Sequence, residues 1–389
     1  MARTGQRSDR HHTLYQFWLF VFIWVLACGM VDWWELGEDL VLERITITLP
    51  DDWHLHVRDE AMMRAALPAT AEKFGRAIIM PNLVPPVRTT ADAIDYRKRI
   101  LTALPPESRF EPLMTCYLTD DTNPDDVEHG FREQVFTAVK LYPANATTNS
   151  SAGVTDFTKV RRVLERMQRI NMPLLIHAEV TDPEVDIFDR EAVFIERIFE
   201  PWTRDFPALR FVHEHLSSKV GCDFVRSKPG QVAGTITPYH LELTRTDWLG
   251  SGNRPYMYCM PVLKTASDRA ALRKAATGGE RGFFLGTDSA PHSVHKKLAI
   301  VGAAGLFNAP VAIETYAKVF EEEGKLENLE AFASFNGPRH YRLAPNRSKL
   351  TLERVPWIAP EQIEVPGAEQ RALIYHGGET IRWRIVATS

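Results

Sequence analysis

Two histidines stand one residue apart in Trp53-His54-Leu55-His56-Val57-Arg58. On an extended backbone, residues i and i+2 share a face. The two imidazoles would then sit side by side, where two ligands of one metal ion belong. Arg58 would bring a guanidinium to that face, suited to a two-pronged grip on a carboxylate. Alone, a His-x-His segment is a weak signal, and its plainer reading is one buried and one exposed histidine at a strand end. Other polar residues must decide. Lys140 stands within the apolar Ala138-Val139-Lys140-Leu141-Tyr142. Asn82 follows an apolar run in Met80-Pro81-Asn82, and His177 follows Pro173-Leu174-Leu175-Ile176. His213-Glu214-His215, Thr237-Pro238-Tyr239-His240 and Gly286-Thr287-Asp288 each follow further apolar runs.

Each of these has a plainer reading. A lysine among apolar residues can snorkel to a rim, a single histidine can be a satisfied core residue, and Asp288 can cap a helix. A shared position at the ends of apolar runs favours chemistry. An uncharged lysine amine adds carbon dioxide to give a carbamate, an anion with two oxygens that can bridge two metal ions. His54, His56, His177 and His215, a carbamate on Lys140 and the Asp288 carboxylate would make a dinuclear site for zinc. Water shared by two such ions is hydroxide near neutral pH. Asp288 could bind through one oxygen and use the other as general base, then general acid.

Such residues need a scaffold that gathers strand ends. Eight short apolar runs recur, at 45–49, 76–80, 112–118, 137–142, 173–176, 209–212, 232–236 and 282–285. Amphipathic stretches lie between them, for example 91–104, 156–170, 189–199 and 267–277. Strands alternating with helices over this length read as a (β/α)8 TIM barrel, whose site forms at the C-terminal strand ends. A doubly wound sheet is the alternative, but no Gly-rich turn follows the first strand. The barrel is expected over 44–345. A C-terminal segment, 346–389, is Pro-rich and then alternates, as expected of a small extra strand or tail packed on the barrel.

The 389 residues carry a formal net charge of -4, with 25% charged and 44% apolar residues. No basic stripe suggests nucleic acid. Cys28, Cys116, Cys222 and Cys259 are widely spaced with no CxxC pair, which fits a reducing compartment and argues against both a disulfide framework and a Cys-type zinc site. Residues 1–43 read differently. Arg3, Arg7 and Arg10 precede an uncharged apolar run, 17–31. That pattern suits a signal peptide or membrane anchor, although 15 residues are short for a span. A leader upstream of a later start such as Met30 is the other reading, and a cytoplasmic location is expected.

The constellation resembles the amidohydrolase superfamily. The stretches PDDWHLHVRD, MPNLVPPV, LMTCYLTD, AVKLYPANATTNS, MPLLIHAEV, TITPYHL, YCMPVLK, FLGTDSAPH and GLFNAP are similar, in order, to the stand-alone bacterial dihydroorotases. The resemblance runs from about residue 44 to 345 and leaves 1–43 outside. It implies that His54, His56, carboxylated Lys140 and Asp288 hold one zinc. Lys140, His177 and His215 would hold the second, with a hydroxide bridging the two. Arg58, Asn82 and His292 would bind the substrate carboxylate. Main-chain groups of Met260 and Ala304 would face the pyrimidine ring; relatives often have Leu at the former position, which a main-chain contact tolerates. Thr147 and Thr148 would sit on a loop that closes over the substrate; the residues themselves show only a polar surface loop.

The implied reaction interconverts N-carbamoyl-L-aspartate and L-dihydroorotate in pyrimidine (UMP) biosynthesis, in a homodimer. A hydantoinase or allantoinase would share every metal ligand, but Arg58, Asn82 and His292 suit an anionic substrate. A non-catalytic scaffold would lack ligands, and none is missing here.

Overall fold

The computed structural model describes residues 44–367 and 370–389. Eight parallel strands form a nearly closed barrel: β2 Asp52–Leu55, β3 Arg76–Ile79, β4 Glu111–Tyr117, β5 Phe136–Leu141, β6 Leu174–Ile176, β7 Phe211–His213, β8 Val232–Ile236 and β9 Phe283–Leu285. Each pairs with its sequence neighbour, the order that βα repeats impose. Both faces of these strands are buried, so they read as continuous apolar runs without alternation.

The first strand departs from expectation. The run at 45–49 was expected to open the barrel, but Arg44–Thr48, here β1, lies in a separate antiparallel sheet. It pairs with β10, Lys349–Glu353, which in turn pairs with Arg384–Thr388. Ile45 and Ile47 give β1 one apolar face, enough for a sheet lying against a core but not for a strand buried on both sides. Strand β2 is buried throughout despite holding Asp52 and His54. Partners explain the tolerance. Asp52 accepts hydrogen bonds from the Thr287 amide at 2.8 Å, the Thr287 hydroxyl at 2.5 Å and the His54 amide at 3.1 Å. The His56 amide donates to Ser289 O at 3.1 Å and the Asp288 amide to His54 O at 2.8 Å. These bonds close the seam between the first and last strands.

Inside the barrel, Ile78, Ala138, Leu175, Val212, Ala233 and Phe284 form one buried layer with Trp53. Tyr341 plugs it from below, stacked on Trp53 with ring centroids 4.4 Å apart. A second, larger core lies between the strands' outer faces and the surrounding helices. Helices start as the sequence signals: Thr89 and Thr265 form capping boxes with Asp92 and Asp268. The helix expected over 156–170 begins only at Arg161. The one expected over 189–199 starts at Arg190 and continues through a π-helical turn, Ile195–Phe199, to Asp205.

The C-terminal segment is richer in strands than expected. It adds two small two-stranded sheets besides its part in the β1 sheet. Residues 1–43, with the apolar run at 17–31, lie outside the described residues. Among the described residues, no helix is long and apolar enough to cross a membrane.

Candidate active site

Counting two residues up from the inner layer finds the chemistry, because alternate strand residues share a face. Ala138 leads to Lys140, Leu175 to His177, and Val212 to Glu214. His215 and Asp288 instead take left-handed backbone, with φ of 42° and 44°, just past their strands. Such non-glycine conformations cost about 1–3 kcal/mol each and cluster at functional sites. Arg58 also has positive φ, 60°, so a turn rather than strand alternation carries its side chain. Gly286 keeps the layer open. A Cβ there would stand 2.7 Å from Thr235 Cβ and 3.2 Å from His54 Cβ.

The predicted ligands converge. His54 Nε2 and His56 Nε2 are 3.3 Å apart, and Asp288 Oδ1 lies 3.3 and 3.1 Å from them. His177 Nδ1 faces His215 Nε2 at 3.1 Å. Lys140 is fully buried and its Nζ has no hydrogen-bond partner; the Tyr142 ring lies 4.9 Å away, and the charges of Glu214 and Asp288 act on the amine.

These groups fit a pair of divalent cations. His177 Nε2 lies 2.7 Å from Glu179 Oε2, and His54 Nδ1 contacts Glu214 Oε2. Each carboxylate holds the ring proton on that side and leaves the other nitrogen's lone pair facing the centre, as metal-ligating histidines require. Burial pushes His56 down to about 3 and also lowers His177 and His215, so these rings are neutral at pH 7. His54 is raised: burial lowers it most, but the charges of Glu214 and Asp288 together outweigh that burial. Burial would raise Asp288, but His54 and His56 hold it well below the usual carboxylate range. Burial brings the Lys140 amine down to about 8 against the pull of Glu214 and Asp288. The amine is therefore easier to deprotonate than an ordinary lysine, and the neutral form is the one that adds carbon dioxide.

Arg58, Asn82, Thr147, Thr148, Met260 and Ala304 line the same pocket. His292 stands at its edge, with Nε2 2.8 Å from Arg58 Nη2 and 2.9 Å from Ala304 O. One imidazole nitrogen cannot accept from the first and donate to the second at once. The loop is closed: Asn82 Nδ2 donates to Thr148 O at 3.0 Å, and the Ala304 amide donates to Thr148 Oγ1 at 3.0 Å. Only about 20 Å³ remains inside, roughly the room of one water. A hollow of about 900 Å³ lies next to it, lined by Arg58, His292, Thr148 and Lys296 among others.

Four functional side chains were missed. Glu179 and Glu214 contact His177 and His54; Glu179 could have been read from its place two residues after His177, whereas Glu214 meets a histidine 160 residues away. Asp52 ties the seam. Tyr239, also buried, donates its hydroxyl to Asp288 Oδ2 at 2.5 Å; a tyrosine in the Thr-Pro-Tyr-His turn was its only signal. His213 and His240 belong to other networks: His213 pairs with Glu191 at 3.1 Å, and His240 contacts Pro261 O at 3.1 Å.

The model of the amidohydrolase family matches residues 47–352. The chain is 54% identical over 348 residues to the dihydroorotase of Synechococcus sp. (strain RCC307), covering 90% of this chain and 98% of that protein. Among solved structures, the dihydroorotase of Saccharomyces cerevisiae in complex with 5-fluoroorotic acid superposes with a TM-score of 0.81 at 32% identity, covering 89% of this chain and 99% of that one. The dihydroorotase of Campylobacter jejuni gives a TM-score of 0.81 at 33% identity, with 89% and 98% covered.

Proposed function

The chain belongs to the amidohydrolase family and, within it, to the dihydroorotases, and from that premise we propose that it interconverts N-carbamoyl-L-aspartate and L-dihydroorotate in pyrimidine biosynthesis. The observation that supports this most is Lys140, an unpartnered buried amine within electrostatic reach of His54, His177 and His215. Carboxylated, it would help hold two zinc ions, one together with His54, His56 and Asp288 and the other together with His177 and His215. When bound, the ions supply hydroxide near neutral pH and polarise the amide carbonyl.

The chain's own groups do the rest. Arg58 and His292 take the substrate carboxylate between them, which ends the competition for His292 Nε2 and gives the buried guanidinium an anion. Asn82 Nδ2 and the Ala304 amide, now spent on Thr148, turn to substrate oxygens once the loop moves. The Met260 main chain faces the ring beside Ala304. With substrate in place, Thr147 and Thr148 close over it and exclude water. In ring opening, Asp288 accepts the proton of the attacking water and hands it to the leaving ring nitrogen. In ring closure it protonates the departing hydroxyl. Tyr239 holds the proton-carrying Oδ2 while Oδ1 faces His54 and His56.

A coupled assay with carbamoyl aspartate, with metal analysis of the same sample, tests the reading. Turnover with two zinc ions per chain is expected; turnover of hydantoin in its place refutes it. We further place the protein in the cytoplasm as a homodimer, which analytical ultracentrifugation and fractionation check.

A further inference from the structure

The opposite, N-terminal end of the barrel carries a second hollow, of about 610 Å³. It opens where β7, β8 and β9 begin, and it is lined by Arg210, Arg226, Arg281, Arg339 and Arg342 against a single carboxylate, Glu280. Arg226 takes both oxygens of Glu280, at 2.8 Å each. Among the described residues, no carboxylate lies within ion-pair reach of the other four arginines.

Their donors are spent on neutral groups or on nothing. Arg210 gives hydrogen bonds to Asn171 O at 2.8 Å, to Asn171 Oδ1 at 3.2 Å and to His340 O. Arg339 gives one to Asn336 Oδ1 at 3.1 Å. Arg281 and Arg342 stand at the rim without a partner among the described residues. Burial, together with the neighbouring charge of Arg342, pushes Arg210 down to about 10. A chain of net charge -4 thus gathers like charges at one place and leaves them uncompensated. Such repulsion is retained where a ligand relieves it. The volume is that of a small-molecule site. Several guanidinium forks around one space match the oxygens of phosphate better than a single carboxylate.

We propose that this hollow, lined by Arg210, Arg281, Arg339 and Arg342, binds a phosphate-bearing small anion of at least two negative charges. The site is separate from the catalytic pocket, being at the other end of the strands that lead to His215 and Asp288. The anion spans the starts of β7 and β9 and adds the counter-charge that the fold lacks there.

Isothermal titration of the metal-loaded enzyme with adenosine 5′-diphosphate at low salt tests this. Wild type is expected to bind one equivalent, and the double variant Arg281→Gln/Arg342→Gln to bind at least 10-fold more weakly. Both positions are exposed and unpaired, so the variant should keep the wild-type melting temperature. If it does not fold, each single variant should weaken binding about threefold. Sodium chloride at matched ionic strength should not reproduce the heat. No saturable binding in wild type overturns the proposal, as does equal affinity in the variants. Binding that survives both substitutions and disappears when the metals are removed places the anion at the catalytic centre and also overturns it.

Discussion

Tyr239→Phe removes one oxygen and keeps the ring that packs against Cys259, Leu263 and Phe307. The lost contact is a 2.5 Å hydrogen bond from a buried hydroxyl to Asp288 Oδ2. A hydrogen bond to a charged group contributes about 1.5–3 kcal/mol, equivalent to roughly one to two pKa units or a 10- to 100-fold change in rate. The hydroxyl can donate to the ionised carboxylate and, after turning, accept from the protonated one, so it holds Oδ2 in both states of the proton transfer. The variant should therefore lose about 10- to 100-fold in kcat with KM within about twofold. Its two metals should stay, because Oδ1, not Oδ2, faces His54 and His56. The acid limb of the rate profile should move to higher pH, since the charged form of Asp288 loses a stabilising donor. Steady-state kinetics in both directions, with metal content by mass spectrometry, provide the measurement. A kcat within twofold of wild type, or a loss of kcat that follows a loss of metal, refutes the reasoning.

Lys140→Ala should lower metal content and reduce turnover at least about 100-fold, beyond what loss of an outer-shell group causes; full metal content with normal turnover disproves the carbamate bridge. Arg58→Met should raise KM for carbamoyl aspartate about 100-fold, or roughly 3 kcal/mol, and an unchanged KM removes Arg58 from the carboxylate site. Gly286→Ala should cost about 1–3 kcal/mol by overpacking and reduce metal affinity, because its Cβ crowds Thr235 and His54; denaturant melts and metal titration check both effects. At the edge of the C-terminal segment, His376 bridges Glu242 and Glu379 at 2.7 and 2.6 Å. Burial lowers its pKa, but the two carboxylates outweigh it and raise it. This stabilisation is complete below the ordinary imidazole range and is lost as pH rises through the raised value. The melting temperature of wild type should fall as pH rises above the ordinary imidazole range, and that of His376→Gln should fall less.

The convergence of His54, His56, Lys140, His177, His215 and Asp288 was legible because a barrel turns sequence into position. An apolar run ending in a polar residue points to the C-terminal rim wherever it occurs, and the structure buries Lys140 within its run rather than letting it snorkel out. The first strand was not legible from apolar patterning. Ile45 and Ile47 alternate as any half-buried strand does, whereas Asp52–Leu55 carries an aspartate and a histidine whose burial depends on Thr287, Ser289 and Glu214, more than 150 residues away. Tyr239 escaped for the same reason: its partner, Asp288, is brought to it only when the barrel closes. Arg58 was expected at the site for the wrong backbone reason, since a left-handed turn, not alternation, delivers it.

The β1 sheet also sets an order of events during synthesis. Thr48 pairs with Lys349, and Glu353 in turn with Arg384. At about 5–20 residues per second, β1 waits roughly 15–60 s for its partner. Throughout that interval it presents an open edge and the apolar face of Ile45 and Ile47 to other nascent chains, a standing invitation to mispairing. Synthesis of Arg384–Thr388 thus completes the sheet, and yield in the cell should depend on chaperone capacity during that wait more than on the stability of the finished fold.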